Sequence, residues 1–456
     1  MNYINTSILD IFKIGPGPSS SHTIGPMQAA YAFMKAVAIL PAEILCQTAK
    51  LNVHLYGSLS ATGKGHGTDK AITAGLLGVN LDTCDANFIL NLWNKEEDEY
   101  KIKMGDKILA FKQNNIIFEP PNNLLKYQNT LKIKLLDKSN KELFSKIYYS
   151  IGGGFILCEG EQEKVNSTPP PYCFLNMEEF KCIYKKTGLS AIEILRENEK
   201  TLTGLNNSEI NHRLDRIIDT MTKTVERGLN TTGVLPGKLC LERKAPDLYK
   251  MTQKNNDPFE KKLLCLNSFA FAASEENAAG RIIVTAPTSG ASGTMASIIY
   301  YLLNYRKISR AEIRNGLLIA GLLGCIAKTN ASISGAEVGC QGEVGVASAM
   351  GAGLISYINK CNLQFIENAA EIALEHHLGM TCDPIEGYVQ IPCIERNAVG
   401  AVTAYNAYII AEGICLNKQK IGFDEVLKAM LKTGQDMGTS YKETSRSGLA
   451  SCSLCC

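Results

Sequence analysis

Residues 159–171 read Glu-Gly-Glu-Gln-Glu-Lys-Val-Asn-Ser-Thr-Pro-Pro-Pro. The run from Glu159 to Thr168 is charged and polar, and buries little. The triplet Pro169-Pro170-Pro171 can continue neither a helix nor a central strand, because proline fixes φ and lacks a backbone donor. A linker is therefore expected over 161–175, and the character of the chain differs on its two sides. Residues 1–160 mix helix and strand signals and predict an α+β domain. Residues 176–456 carry long apolar segments rich in Ala and Gly, and predict an all-helical domain.

On the N-terminal side, Ser7 precedes Ile8, Leu9, Ile11 and Phe12, with Asp10 three residues on, the pattern of a capped short helix. Residues 51–59 alternate as a strand does. Residues 131–135 and 143–151 predict a hairpin turning at Asp137-Lys138-Ser139-Asn140. On the C-terminal side, Ser190 with Glu193 forms a capping box opening a helix. Segments 266–279, 294–303, 313–325, 344–358 and 397–414 supply small residues that let helices approach closely. No period of 20–50 residues recurs, so a solenoid is not indicated.

Composition narrows the function classes. Of 456 residues, 45% are hydrophobic and 20% charged, enough to bury a large core. The 47 basic and 45 acidic residues nearly cancel, giving no electrostatic reason to expect nucleic acid or an anionic membrane. The N-terminus lacks a basic patch followed by an apolar run, and the most apolar stretch, 316–327, is shorter than the roughly 18 residues of a membrane span. A cytoplasmic protein is expected. Its 16 cysteines are then free, buried or metal-bound rather than a disulfide scaffold.

Four features could carry chemistry. In Gly15-Pro16-Gly17-Pro18-Ser19-Ser20-Ser21-His22-Thr23, the turn formers crowd three hydroxyls and an imidazole together, suited to a carboxylate; the simpler reading is a helix cap. Gly57 to Asp69 carries Lys64 and His66 among glycines. It is not a phosphate-binding loop, since five residues separate Gly57 from Gly63 and Gly65 follows Lys64 where Ser or Thr is needed. Thr285 to Gly293 opens a helix, and its Ser289-Gly290 pair could meet an anion at the helix N-terminus. Lastly, Cys340, Cys382 and Cys393 each sit in a turn-like context beside Gly or Pro, unlike the remaining internal cysteines. Spacing alone leaves zinc, a cluster and no metal all open.

Seven separated stretches resemble, in order, the bacterial iron–sulfur L-serine dehydratase family: 7–27, 55–70, 149–155, 285–293, 339–345, 379–400 and 441–450. Residues 84–130 and 451–456 depart from it. The resemblance implies a [4Fe–4S] cluster held by Cys340, Cys382 and Cys393, with L-serine as substrate and pyruvate and ammonia as products. It places His66 first and His22 second as the base, with Lys64 beside them, and makes Ser19, Ser20, Ser21, Ser289 and Gly290 carboxylate-binding candidates. An active site between the two domains follows, since the His and Cys motifs fall on opposite sides of the linker. The N-terminal domain should resemble a regulatory amino-acid-binding fold. The tail Cys452-Ser453-Leu454-Cys455-Cys456 offers Cys456 as a fourth ligand that substrate would displace. The sequence leaves oligomeric state open, a homodimer included. A pyridoxal-phosphate lyase, an electron-transfer protein and an amino-acid sensor are the competing classes.

Overall fold

The computed structural model describes residues 3–82, 84–95, 97–120, 126–161, 168–414 and 419–452. Nine strands form among them. β1 is Ile14–Pro16, β2 Lys50–Tyr56, β3 Glu99–Met104, β4 Lys107–Lys112 and β5 Ile116–Phe118. β6 is Asn129–Leu136, β7 Glu142–Ser150, β8 Ile156–Cys158 and β9 Ile282–Val284.

Alternating apolar positions make one face of β2 and β6 hydrophobic, and that face must be covered. The sheet runs β5-β2-β6-β7-β8, with β2 and β5 parallel and the other pairs antiparallel. Leu51, Val53 and Leu55 of β2 and Leu131, Ile133 and Leu135 of β6 are fully buried beneath helices Gly25–Val37 and Thr68–Leu76. The hairpin at 137–140 forms as expected, with Asp137 accepting from the Ser139 and Lys141 amides. The strand expected over 51–59 ends early. Gly57, at φ 58°, turns the chain into helix Gly57–Thr62, and Leu59 is buried from that helix instead.

Close packing fixes the sheet's helical cover. The Gly75 Cα lies so near helix Gly25–Val37 that a Cβ there would stand 2.2 Å from the Met27 carbonyl and 2.8 Å from Ala30 Cβ. Alanine in a helix gains about 1 kcal/mol over glycine. Here the obstacle is backbone, so overpacking of about 1–3 kcal/mol or more dominates. Gly75→Ala is expected to lower the urea midpoint without changing the slope; an unchanged or raised midpoint would contradict this contact.

The C-terminal part is helix-rich, centred on Val344–Ile358. Fourteen of its fifteen residues are buried, because neighbours approach from all sides. Gly351 and Gly353 leave room for Ile298 and Leu323, whose methyl carbons would lie 2.4 Å from added Cβ atoms. Helices Arg310–Asn330, Leu363–Glu375 and Cys393–Gly413 pack around it. The capping box at Ser190 and Glu193 opens helix Ala191–Thr203. This part is not helical throughout: β9 pairs antiparallel with β1, Ile14 opposite Val284, where the N-terminal segment crosses over.

That crossing interlocks the two halves. Ser7 caps helix Ile8–Ile11, and Ile4, Ile8, Leu9, Ile11 and Phe12 are buried in the core of the helical half. Ser7 Oγ and the Ile8 amide donate to the buried Glu199 carboxyl at 2.6 and 2.8 Å. Burial pushes that carboxyl up to about 7. Amphipathic pattern marks residues 8–12 as a helix but cannot say which half it joins. No single helix among the described residues is long and apolar enough to cross a membrane.

Candidate active site

Six chain segments meet where the two halves touch. Gly17 lies against the Asn277 carbonyl, and Gly65 against the Gly387 carbonyl at 2.9 Å from an added Cβ. The loop bearing His66 is thus pressed onto the loop between Cys382 and Cys393. The enclosed pocket there is lined by Ser19, His66, Gly290, Cys340, Glu343, Val344, Cys382, Pro384, Val389, Cys393 and Glu443.

The thiol wall is built from three turns. Cys340 lies in the tight turn Gly339–Gly342, which requires Gly339 at φ 75° with its Cα against the Met380 carbonyl. Cys382 is held by the returning C-terminal segment: its amide donates to Tyr441 O at 2.8 Å, and its carbonyl accepts from the Glu443 amide at 2.7 Å. Cys393 opens helix Cys393–Gly413. Asn397, one turn on, donates to Cys393 O and Gly290 O and accepts from the Thr294 amide, tying this helix to the Ser289-Gly290 loop. The half-buried Glu343 has its carboxylate Oε2 3.8 Å from Cys340 Sγ and 3.7 Å from Cys382 Sγ.

The thiols differ in how readily they ionise. A hydrogen bond from Cys382 and the Arg396 charge lower the Cys340 pKa against its burial. The same hydrogen bond, then burial, raises Cys382 well above the usual thiol value, and burial does so for Cys393. Glu343 is likewise raised, by burial first and then by Cys340. Arg396 is fixed by Thr381 O at 2.6 Å and Asp383 at 3.0 Å.

Opposite the thiols stand two stacked imidazoles, His22 and His66, with ring centroids 4.4 Å apart. Proton counting assigns their ring nitrogens. His66 Nδ1 lies 2.8 Å from the Thr62 carbonyl, which only accepts, so Nδ1 carries the hydrogen. Neutral His66 therefore presents a bare Nε2, buried and without a hydrogen-bond partner among the described residues. Burial first, then the neighbouring His22, lower the His66 pKa to about 4. Ser58 gives its one proton to the Glu443 carbonyl at 2.5 Å, so it accepts from His22 Nε2 at 3.0 Å. His22 Nδ1 faces Ser21 Oγ at 2.9 Å and Glu443 Oε1 at 3.3 Å.

Of the sequence-derived candidates, the pocket gathers Ser19, His66, Gly290, Cys340, Cys382 and Cys393. His22 and Ser21 stand behind this wall and Ser20 is buried in the wide helical turn Ser20–Ile24. Ser289 is fully buried beside Gly290, its hydroxyl without a hydrogen-bond partner among the described residues. Lys64 is not brought in: it is exposed, its Nζ 5.4 Å from the Phe118 ring. Cys456 lies outside the described residues. Glu343 and Glu443 were missed, though each falls inside a quoted stretch; for Glu343 the signal was an acidic residue three positions after a candidate ligand cysteine, and for Glu443 there was none nearby in the sequence.

Thiols able to ligate a metal, a bare imidazole nitrogen and the Ser19 hydroxyl in one pocket suit an enzyme handling a small polar substrate. Comparison with known proteins identifies which. Residues 7–161 match the serine dehydratase beta chain family, and residues 186–450 the serine dehydratase alpha chain family. L-serine dehydratases of Haemophilus influenzae and Streptomyces coelicolor are 42% and 40% identical, and L-serine dehydratase TdcG of Escherichia coli is 43% identical. Each alignment covers 97% of this chain and 98% of the relative. The chain belongs to the L-serine dehydratase family, with its alpha and beta parts joined in one polypeptide.

Proposed function

We propose that this chain is a cytoplasmic enzyme that eliminates water from L-serine, giving pyruvate and ammonia at a [4Fe–4S] cluster. The observation that carries the reading is the convergence of three turn-borne thiols on a pocket facing the bare His66 Nε2. The donor set fits such a group. Cys340 and Cys382 are buried and Cys393 half-buried, and the resistance of Cys382 and Cys393 to ionisation is relieved by a bound cationic centre, which needs them as thiolates. Glycine at 335 keeps the ground beside them open, since a Cβ there would stand 2.7 Å from Glu343 Oε2 and 3.1 Å from Cys382 Sγ.

When bound by Cys340, Cys382 and Cys393, the cluster would act as a Lewis acid for the substrate hydroxyl, a poor leaving group otherwise. The remaining work falls to side chains. His66 Nε2 takes the α-proton; its lowered pKa keeps it free to do so at neutral pH. The Ser19 hydroxyl, the Gly290 segment and the start of helix Ser292–Asn304 hold the substrate carboxylate. The wall of His22, Ser21 and Ser58 fixes the His66 ring by stacking and excludes water. Loss of the α-proton and hydroxide leaves aminoacrylate, which hydrolyses to pyruvate and ammonia unaided.

A pyridoxal-phosphate mechanism needs a lysine in the pocket, and none lines it among the described residues. The test is anaerobic purification with quantification of iron, sulfide and pyruvate formation. About four iron and four sulfide per chain, with turnover of serine, are expected. Turnover by protein holding zinc alone, or no metal, would overturn the cluster.

A further inference from the structure

L-serine has three handles, and the proposed function uses two: the hydroxyl at the thiol wall and the carboxylate at the hydroxyl-lined wall. The third is the α-ammonium, a cation entering a closed pocket, which needs an acceptor there. Two carboxylates line the pocket, Glu343 and Glu443. Glu343 is turned to the thiols, its Oε2 within 3.8 Å of both Cys340 and Cys382 Sγ. Glu443 is differently placed.

Its backbone is held at φ 55°, outside the comfortable range of a non-glycine residue. Three contacts hold it there: its amide on Cys382 O at 2.7 Å, its carbonyl under Ser58 Oγ at 2.5 Å, and its side chain among Ser21, His22 and His66. Oε1 accepts from Ser21 Oγ at 3.3 Å, faces His22 Nδ1 at the same distance, and lies 4.0 Å from His66 Nε2. Oε2 is buried and has no hydrogen-bond partner among the described residues, while the residue as a whole is 4% exposed. A buried carboxylate oxygen without a donor is costly, and a strained backbone that aims it into a pocket is a feature retained for a ligand.

The geometry points to Glu443 as the residue that binds the substrate's α-ammonium, through Oε2. This assignment rests on the proposed reading of the pocket as a serine site. It places the substrate's α-carbon next to both Glu443 and His66, whose Nε2 is 4.0 Å from Glu443 Oε1, so the group that holds the ammonium also brings the α-proton to the base. It makes the enzyme selective for amino acids over hydroxy acids of the same shape, because an ammonium meets the carboxylate with a positive charge where an α-hydroxyl offers one neutral donor.

The experiment compares two non-reacting ligands on the holoenzyme, wild type and Glu443→Gln. L-alanine keeps the ammonium and carboxylate; 3-hydroxypropionate keeps the hydroxyl and carboxylate but lacks the ammonium. Inhibition constants and calorimetric binding are measured for both, beside iron content. Glu443→Gln is expected to retain its iron, to raise KM for serine and weaken L-alanine by about 100-fold, and to leave 3-hydroxypropionate within about threefold, as loss of one buried charge partner implies. Equal weakening of both ligands would make Glu443 a support for the pocket's shape and overturn the assignment, as would unchanged L-alanine binding. Should the glutamine variant fail to load iron, Glu443→Asp decides: its carboxylate is withdrawn by one methylene and should weaken L-alanine about 10-fold while sparing 3-hydroxypropionate. Wild-type holoenzyme that does not turn over serine would instead sink the underlying reading.

Discussion

Alanine at Cys340, Cys382 or Cys393 is expected to abolish both iron retention and serine deamination. Each thiol comes from a separate turn, so no neighbour can substitute for a missing one. Of the internal cysteines, Cys265 and Cys325 are buried in the helical core and Cys158 under the sheet, none of them in the pocket. Burial already sets Cys382 and Cys393 against ionisation, so a site short of one thiol is expected to rebind metal poorly. The measurement is iron and sulfide content after anaerobic purification, with turnover on the same sample. Full activity in any one of the three variants would remove that residue from the site.

His66→Ala should behave in the opposite way, keeping iron but losing about 100-fold or more in turnover, the scale of a missing general base. His22→Ala, which removes the stacking partner and the Ser58 contact, serves as the comparison. Inactivity of the His22 variant beside near-normal His66→Ala would reverse their roles. The pH dependence adds a second check. With His66 depressed from the usual 6.5 to about 4, the acid limb of kcat/KM is expected well below 6.5. The same depression bears on stability. Between pH 6.5 and 4 the unfolded chain binds a proton that the folded chain refuses, so this residue lowers stability as pH falls through that window, and the loss is complete below 4. His66→Ala should lose less stability over that interval than wild type.

Local signals in the sequence carried the elements well where one rule sufficed. The Ser7 and Ser190 caps, the turn at 137–140 and the alternation in β2 are nearest-neighbour effects. The three cysteines stood out because Gly and Pro beside a thiol are visible in one dimension. What stayed hidden depends on chain segments far apart. Glu443 is recognisable only once Cys382, Ser58 and His22 surround it. Lys64 looked like a neighbour of His66, yet the turn around Gly65 points it to Phe118. The membership of helix Ile8–Ile11 in the C-terminal core, and the β1–β9 pairing that follows, were equally beyond a pattern that shows an apolar face but not its partner.

The N-terminal segment also sets an order of events during synthesis. Ile4 to Pro16 leave the ribosome well before their partners, which are Glu199, the strand Ile282–Val284 and Cys325, whose Sγ meets Thr6 O at 3.5 Å. At about 5–20 residues per second, some 15–60 s pass before β9 exists to receive β1. Through that interval the sheet can close on its own helices, while five large apolar side chains ahead of it have no surface to cover them. The nascent chain is thus sticky over Ile4 to Phe12 until residues 282–284 have been made.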